Sequence, residues 1–280
     1  RDDIAVITPR SASLNAGGAS GGYVDLVNLD RSTSASTIIN GPVDAAGEDV
    51  LLVSDRLEIG QPVRSTGAVL GIRPSAPDLS ITLESAGAGS GLSLNLGEID
   101  RLQEGFKRIE IGSMDGAHRI AVTTDVSFRD PLVLMTPQPG GEVTVDRSAL
   151  RAPTMTIIGS GHTTYLDNSS LTATEGAMDI FDSVVVQGTS SITSPTYIDI
   201  QRAPAVSGSG SINANPAGTA PDILNLTAGG LIRVEGPVGN VDPLDKLVIV
   251  NATDVTFEQS IVVDGDLIIN ATGSVKFEGS

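Results

Sequence analysis

The chain has 280 residues, and 17 Lys+Arg against 34 Asp+Glu give a formal net charge of −17, the opposite of the basic footprint that nucleic acid or an anionic membrane surface requires. Cysteine is absent, which excludes a disulfide framework, a thiolate metal site and a cysteine nucleophile, and no run approaches the roughly 18 apolar residues of a membrane span. Aromatic residues are 3% with no Trp, so stacking platforms for sugar rings or bases are scarce, while 32 Gly and 15 Pro make turns frequent without reaching the level of disorder.

The chain begins at Arg1 without an initiator Met or a signal-like segment, and so reads as a piece excised from something longer. From Arg1 to about Asn40, short apolar pieces such as Ile4–Val6 and Tyr23–Leu26 alternate with Gly/Ser/Ala-rich turns, as in the early coils of a repeat. Gly18-Ala-Ser-Gly-Gly22 matches the Gly-x-Ser-x-Gly pattern of a nucleophile elbow, but it lacks the strand-to-helix setting that such chemistry needs and reads as a turn. A clearer rhythm starts at Asp49–Val53 and Leu57–Ile59 and continues through Ala68–Ile72 and Leu79–Leu83. Pro74 and Pro77 belong in a coil corner, since Pro cannot donate to an interior ladder.

The glycine cluster Ala86–Gly91 would need a helix behind it to cradle phosphate. Leu92-Ser-Leu94 follows instead, which reads as a strand. The one helical pattern lies at 97–105, where Ile99, Leu102 and Phe106 fall at i, i+3 and i+7; a two-turn helix inserted on the flank of the repeat is expected. Asp125-Val-Ser-Phe128 and the residues after it match Asp254-Val-Thr-Phe257 and its followers position by position, which suggests one coil motif in both halves.

The central block repeats by a second measure. Val145, Leu166 and Val186 are 21 and 20 residues apart, and Leu150, Leu171 and Ile192 are 21 and 21 apart. Residues 201–222 break this rhythm with Ala, Pro, Gly, Ser and Asn, and read as a long exposed loop. At the end of the chain, Val255–Ser260 returns as Val275–Ser280 and Leu247–Ile249 as Leu267–Ile269, each displaced by 20 residues. Within each unit apolar residues alternate with polar ones, the period of a strand with one buried face.

A repeat of about 20 residues built from short strands and turns is a solenoid. The expected fold is all-β, a right-handed parallel β-helix spanning 1–280 as a single segment, with the short helical insertion and the 201–222 loop as its interruptions. Roughly 10 to 13 coils at about 4.8 Å each make a rod of roughly 50 to 60 Å. The last coil carries no evident cap, so its edge groups would be open to another coil.

Sites are few. His118 and His162 lie among turn residues of different coils and read as surface histidines, too few for a zinc site. Two carboxylate pairs, Asp264 with Asp266 and Asp179 with Asp199 on the next coil, could serve polysaccharide cleavage, but they equally describe the solvent side of ordinary strands, and no catalytic residue is assigned. Glu258 and Glu278 should stack in register, where like charges repel. With Asp264 and Asp266 they are the candidates for weak Ca²⁺ binding, although the calcium-binding β-roll nonapeptide is missing; no other cofactor is expected. Asn168, Asn225, Asn251 and Asn270 open Asn-x-Ser/Thr triplets and read as corner residues.

Gly105–Gly116, Asp125–Pro131 and Asp254–Ser280 resemble the repeats of very large bacterial exoproteins of the filamentous-haemagglutinin type. That resemblance implies an exported chain, extracellular or on the bacterial cell surface, whose β-helix serves as a stalk or fibre for an adhesin. Its partners would be neighbouring segments of the same long chain or other copies end to end, with a surface polysaccharide or host-cell ligand also possible. The leading expectation is therefore a non-catalytic structural segment. The alternatives are a polysaccharide-binding or polysaccharide-degrading β-helix and a self-assembling matrix or sheath protein.

Overall fold

A computed structural model describes residues 4–6, 24–27, 37–84, 91–159, 163–201, 210–218 and 221–279. The chain is a parallel β-solenoid of about ten turns, and every strand pairing in it is parallel, from Ile4–Val6 against Val24–Val27 to Asp254–Phe257 against Val275–Phe277. One long sheet of 12 strands runs the length of the described chain, and two sheets of 7 strands and two pairs complete the walls.

The reason lies in the alternation of side chains. In Glu142–Asp146 and Thr163–Asp167 each second residue is buried, so one face of each wall is apolar and can only be covered by the other walls. Stacking then places like on like. Val145 pairs with Leu166 and Leu166 with Val186; Leu150 pairs with Leu171 and Leu171 with Ile192. Met155, Met178 and Ile198 line up in the long sheet. At the last coil Phe277 stacks on Phe257 with ring centroids 5.7 Å apart and planes 9° from parallel. The interior is one continuous aliphatic cluster from Leu26 to Phe257. Pro74 and Pro77 sit in the turn between Val69–Arg73 and Ile81–Glu84, outside any ladder.

Several expectations change. The helix is one turn, Leu96–Ile99, begun by Asn95 in a capping box with Glu98. Its continuation rejoins the wall: Leu102 bridges Val63 in parallel, and Ile99, Leu102 and Phe106 are all buried. The helical spacing was real, but a wall position captured its second half. Strand Leu92–Asn95 pairs with Ile81–Glu84 on the edge away from Arg119–Val122, so the chain steps back before it climbs again, and Leu70 pairs with Ile109, 39 residues on. Within 201–222, residues Ile212–Ala214 form a strand beside Val184–Val186 with all three residues buried. Asn213 hides this strand from a hydropathy reading. Its side-chain amide donates to Ser211 at 3.2 Å and its side-chain carbonyl accepts from the Val241 N–H at 3.2 Å.

The Asp125 and Asp254 stretches do not occupy equivalent coil positions. Val126–Ser127 belongs to a 7-stranded sheet and Asp254–Phe257 to the 12-stranded one. What they share is local. Asp125 accepts the Ala149 N–H at 2.9 Å, Asp254 accepts the Ser274 N–H at 2.7 Å, and Asp49 accepts the Val69 N–H at 2.7 Å. An Asp just before a strand, or at its first position, thus ties its coil to the next on either face.

Candidate functional site

The solvent face of the 12-stranded sheet carries the densest chemistry. Leu51, Gly71, Glu110, Val133, Thr156, Asp179, Asp199 and Arg233 follow one another across successive strands, each opposite the next. Their immediate neighbours along each strand point into the core, so this row stands outward.

The first part of the row is the floor of a groove of about 710 Å³. Gly71 gives it depth, since the position has no side chain and an added Cβ would lie 3.0 Å from the Leu51 Cδ1. Arg108 donates from Nε to Glu110 at 2.6 Å, while Arg73 stands 3.9 Å from Asp115. The turn Ser113–Gly116 forms one wall and is pinned from several sides. Gly116 N–H donates to the Ser113 carbonyl at 2.9 Å, and the Gln138 amide donates to the Met114 carbonyl at 3.1 Å.

Behind this wall lies His118, 1% exposed rather than on the surface. Its Nδ1 is 3.0 Å from the Leu79 carbonyl, an acceptor, so Nδ1 carries the proton, and Nε2 lies 3.3 Å from the Ser113 hydroxyl, for whose one proton it competes with the Asp115 carboxylate. Burial, above all, pushes the imidazole below its ordinary range, against the opposing pull of the Leu79 carbonyl and Asp115. The partner beyond the imidazole is a carbonyl rather than a carboxylate, and Ser113 is itself buried. The pair therefore props the groove wall. His162 and Gly18–Gly22 lie outside the described residues.

The second part of the row is an ion-pair cluster. Arg233 makes two hydrogen bonds to Asp199, 2.9 Å from Nε and 2.6 Å from Nη2, and also meets Glu235 at 3.1 Å and Glu258 at 3.9 Å. Asp179, in register with Asp199, receives the Tyr197 hydroxyl at 3.3 Å. Burial, then the Asp199 charge, raises the Asp179 carboxyl above the usual carboxylate range. Asp199 thus takes a bidentate guanidinium, beside the Asp179 carboxyl, which keeps its proton to higher pH.

The two carboxylate pairs read from sequence separate here. Asp179 and Asp199 do meet. Asp264 and Asp266 are exposed on the far strand Val263–Ala271, and Asp266 pairs with Lys246 at 3.2 Å. The register of Phe257 on Phe277 carries Glu258 towards Glu278, yet Glu258 faces Arg233. Among the described residues no three His, Asp or Glu side chains converge as a metal-binding group. Asn168 is a corner residue with φ of 45°. Asn225, Asn251 and Asn270 instead lie in strands and donate to carbonyls of the coil before, at 2.8 Å for Asn251 to Ala228. Sequence alone does not reveal the groove, because it depends on one missing side chain at Gly71 and on a turn, Ser113–Gly116, meeting a strand residue, Leu51, more than 60 positions away.

Fold and face together define a parallel β-solenoid with one chemically featured wall. No protein-family model, curated protein or solved structure matches the chain.

Proposed function

We propose that this chain is a structural stalk or fibre segment of an exported bacterial adhesin, working outside the cell without catalysis. The observation that carries this reading is the stacking itself. One buried core cluster runs from Leu26 to Phe257, continuing past the step at Leu92–Asn95, and gives a rod whose length scales with coil number. The charge of −17 keeps such a strand-rich surface soluble. In the last coil Leu267, Val275 and Phe277 are exposed although their partners Leu247, Val255 and Phe257 are fully buried, a face that either a neighbouring segment of the same long chain or another copy end to end would cover.

Antibody labelling of intact source cells, with protease shaving as control, tests the location. Surface signal lost on shaving is expected, and signal only after lysis would overturn the reading. Light scattering against concentration tests the end-to-end contact. Association that Phe277→Asp abolishes is expected, and a particle that stays monomeric at all concentrations counts against it.

A further inference from the structure

We propose that the groove on the long sheet binds an uncharged oligosaccharide chain, giving the rod a lateral recognition site in addition to its structural role. The lining holds two cations, Arg73 and Arg108, and two anions, Glu110 and Asp115, so it is neutral on a molecule of net charge −17. A polyanion gains nothing there and is repelled by the whole. An uncharged ligand with dense hydroxyls fits better, because each hydroxyl both donates and accepts. The carboxylates of Glu110 and Asp115 accept hydrogen bonds from its hydroxyls. The guanidiniums supply donors, for Arg108 commits only Nε to Glu110 and Arg73 has only a loose contact at 3.9 Å.

The floor between these groups is aliphatic, formed by Leu51, Val133 and Ile158, and suits the C–H faces of sugar rings. Across the sheet the lining row Leu51, Gly71, Glu110, Val133 and Thr156 makes four inter-strand steps, about 19 Å at the usual strand spacing. That span exceeds a single ring and calls for a chain.

A peptide is disfavoured by the same strands. Recognition by strand addition needs a free edge, but Val69–Arg73, Arg108–Gly112 and Leu132–Thr136 are each paired on both sides. Only side chains are on offer. The wall is pre-organised by the buried Ser113–His118 contact, which lowers the cost of ordering on binding. Without an aromatic platform the affinity is modest, on the order of millimolar for one short chain.

The test is titration of the whole chain, followed by amide chemical shifts, with gluco-, xylo- and manno-oligosaccharides, and with oligogalacturonate as the charged arm. At least one neutral arm is expected to shift Gly71, Glu110 and Val133, with an affinity unchanged between low and high salt. Arg108→Gln should weaken it about tenfold, as for the loss of one charge-assisted hydrogen bond. Gly71→Gln, whose side chain would occupy the floor and displace only the flexible end of Leu51, should abolish it with the thermal midpoint retained. Asp266→Asn, remote from the groove, should leave it unchanged. Binding of oligogalacturonate alone, binding that survives Gly71→Gln, or no shift with any arm would each overturn the proposal.

Discussion

Burial of His118 makes the groove wall sensitive to pH. Its imidazole pKa lies below the unfolded value of about 6.5, so the folded state binds fewer protons than the unfolded state between the two values. Its contribution to stability is complete above the unfolded pKa and is lost as pH falls through the lowered folded one. Asp115 and Asp78 favour the charged ring, and Arg73 opposes it. A falling thermal midpoint from neutral pH towards pH 5 is expected, with the slope flattened in His118→Gln; equal slopes in the two proteins would exclude this group as the source. The corner stack is a second constraint at this scale. Arg147, Asn168 and Gly188 all take positive φ, at 46°, 45° and 63°, and Asn168 uses its side chain to accept from the Thr189 N–H at 3.2 Å. A Cβ on Gly188 would lie 2.4 Å from that amide. Gly188→Ala should therefore cost about 1–3 kcal/mol in chemical denaturation; at Gly140, where φ is 95° and nothing lies within 4 Å, only the conformational part of that cost applies. Neither residue could be assigned from sequence. A His among turn residues does not reveal which carbonyl waits behind it, and a corner glycine does not reveal what the next coil has placed there.

Elements were legible where chemistry repeats along the ladder. Val145, Leu166 and Val186 could be aligned before any coordinates because each must present an aliphatic group to the same core layer, and a slip of one residue would turn them outward. Residues 91–107 escaped that logic, since strand Leu92–Asn95 satisfies a neighbouring strand out of chain order. Glu98 makes the detour possible: one carboxylate oxygen accepts the Asn95 N–H at 2.8 Å, and the other accepts the Ile59 N–H at 3.2 Å. It thereby caps a helix turn and satisfies the backbone of a strand 39 residues earlier. Burial raises its carboxyl above the usual range despite these two donors, so this position loses stability as pH rises through the carboxylate range. Glu98→Ala leaves two backbone donors without their acceptor and should cost about 2 kcal/mol. Glu98→Gln keeps one acceptor oxygen and should lose less. Matched losses would show that the side chain fills space there and does not act as a hydrogen-bond acceptor.

For the whole molecule, the consequence of a solenoid is that each coil is stabilised only by its neighbours. The twelve strands of the long sheet therefore do not form one indivisible core in the way a globular domain does. The sequence already implied this, since spacings of 20 and 21 residues leave no long-range contacts beyond the next coil. It did not imply how faithfully one wall would run past the detour at 91–107. Ile180 tests the point: it is fully buried in the middle of the rod, between Ile157 and Ile200. Ile180→Ala should remove about 2–5 kcal/mol locally. Because the loss falls on two inter-coil interfaces, amide exchange should accelerate first in Met155–Gly159 and Ile198–Ile200, while Asp254–Phe257 and Val50–Val53 keep their protection. A uniform rise in exchange along the rod would mean that the coils unfold as one unit. The stalk reading would then have to account for a cooperativity that nearest-neighbour stacking does not supply.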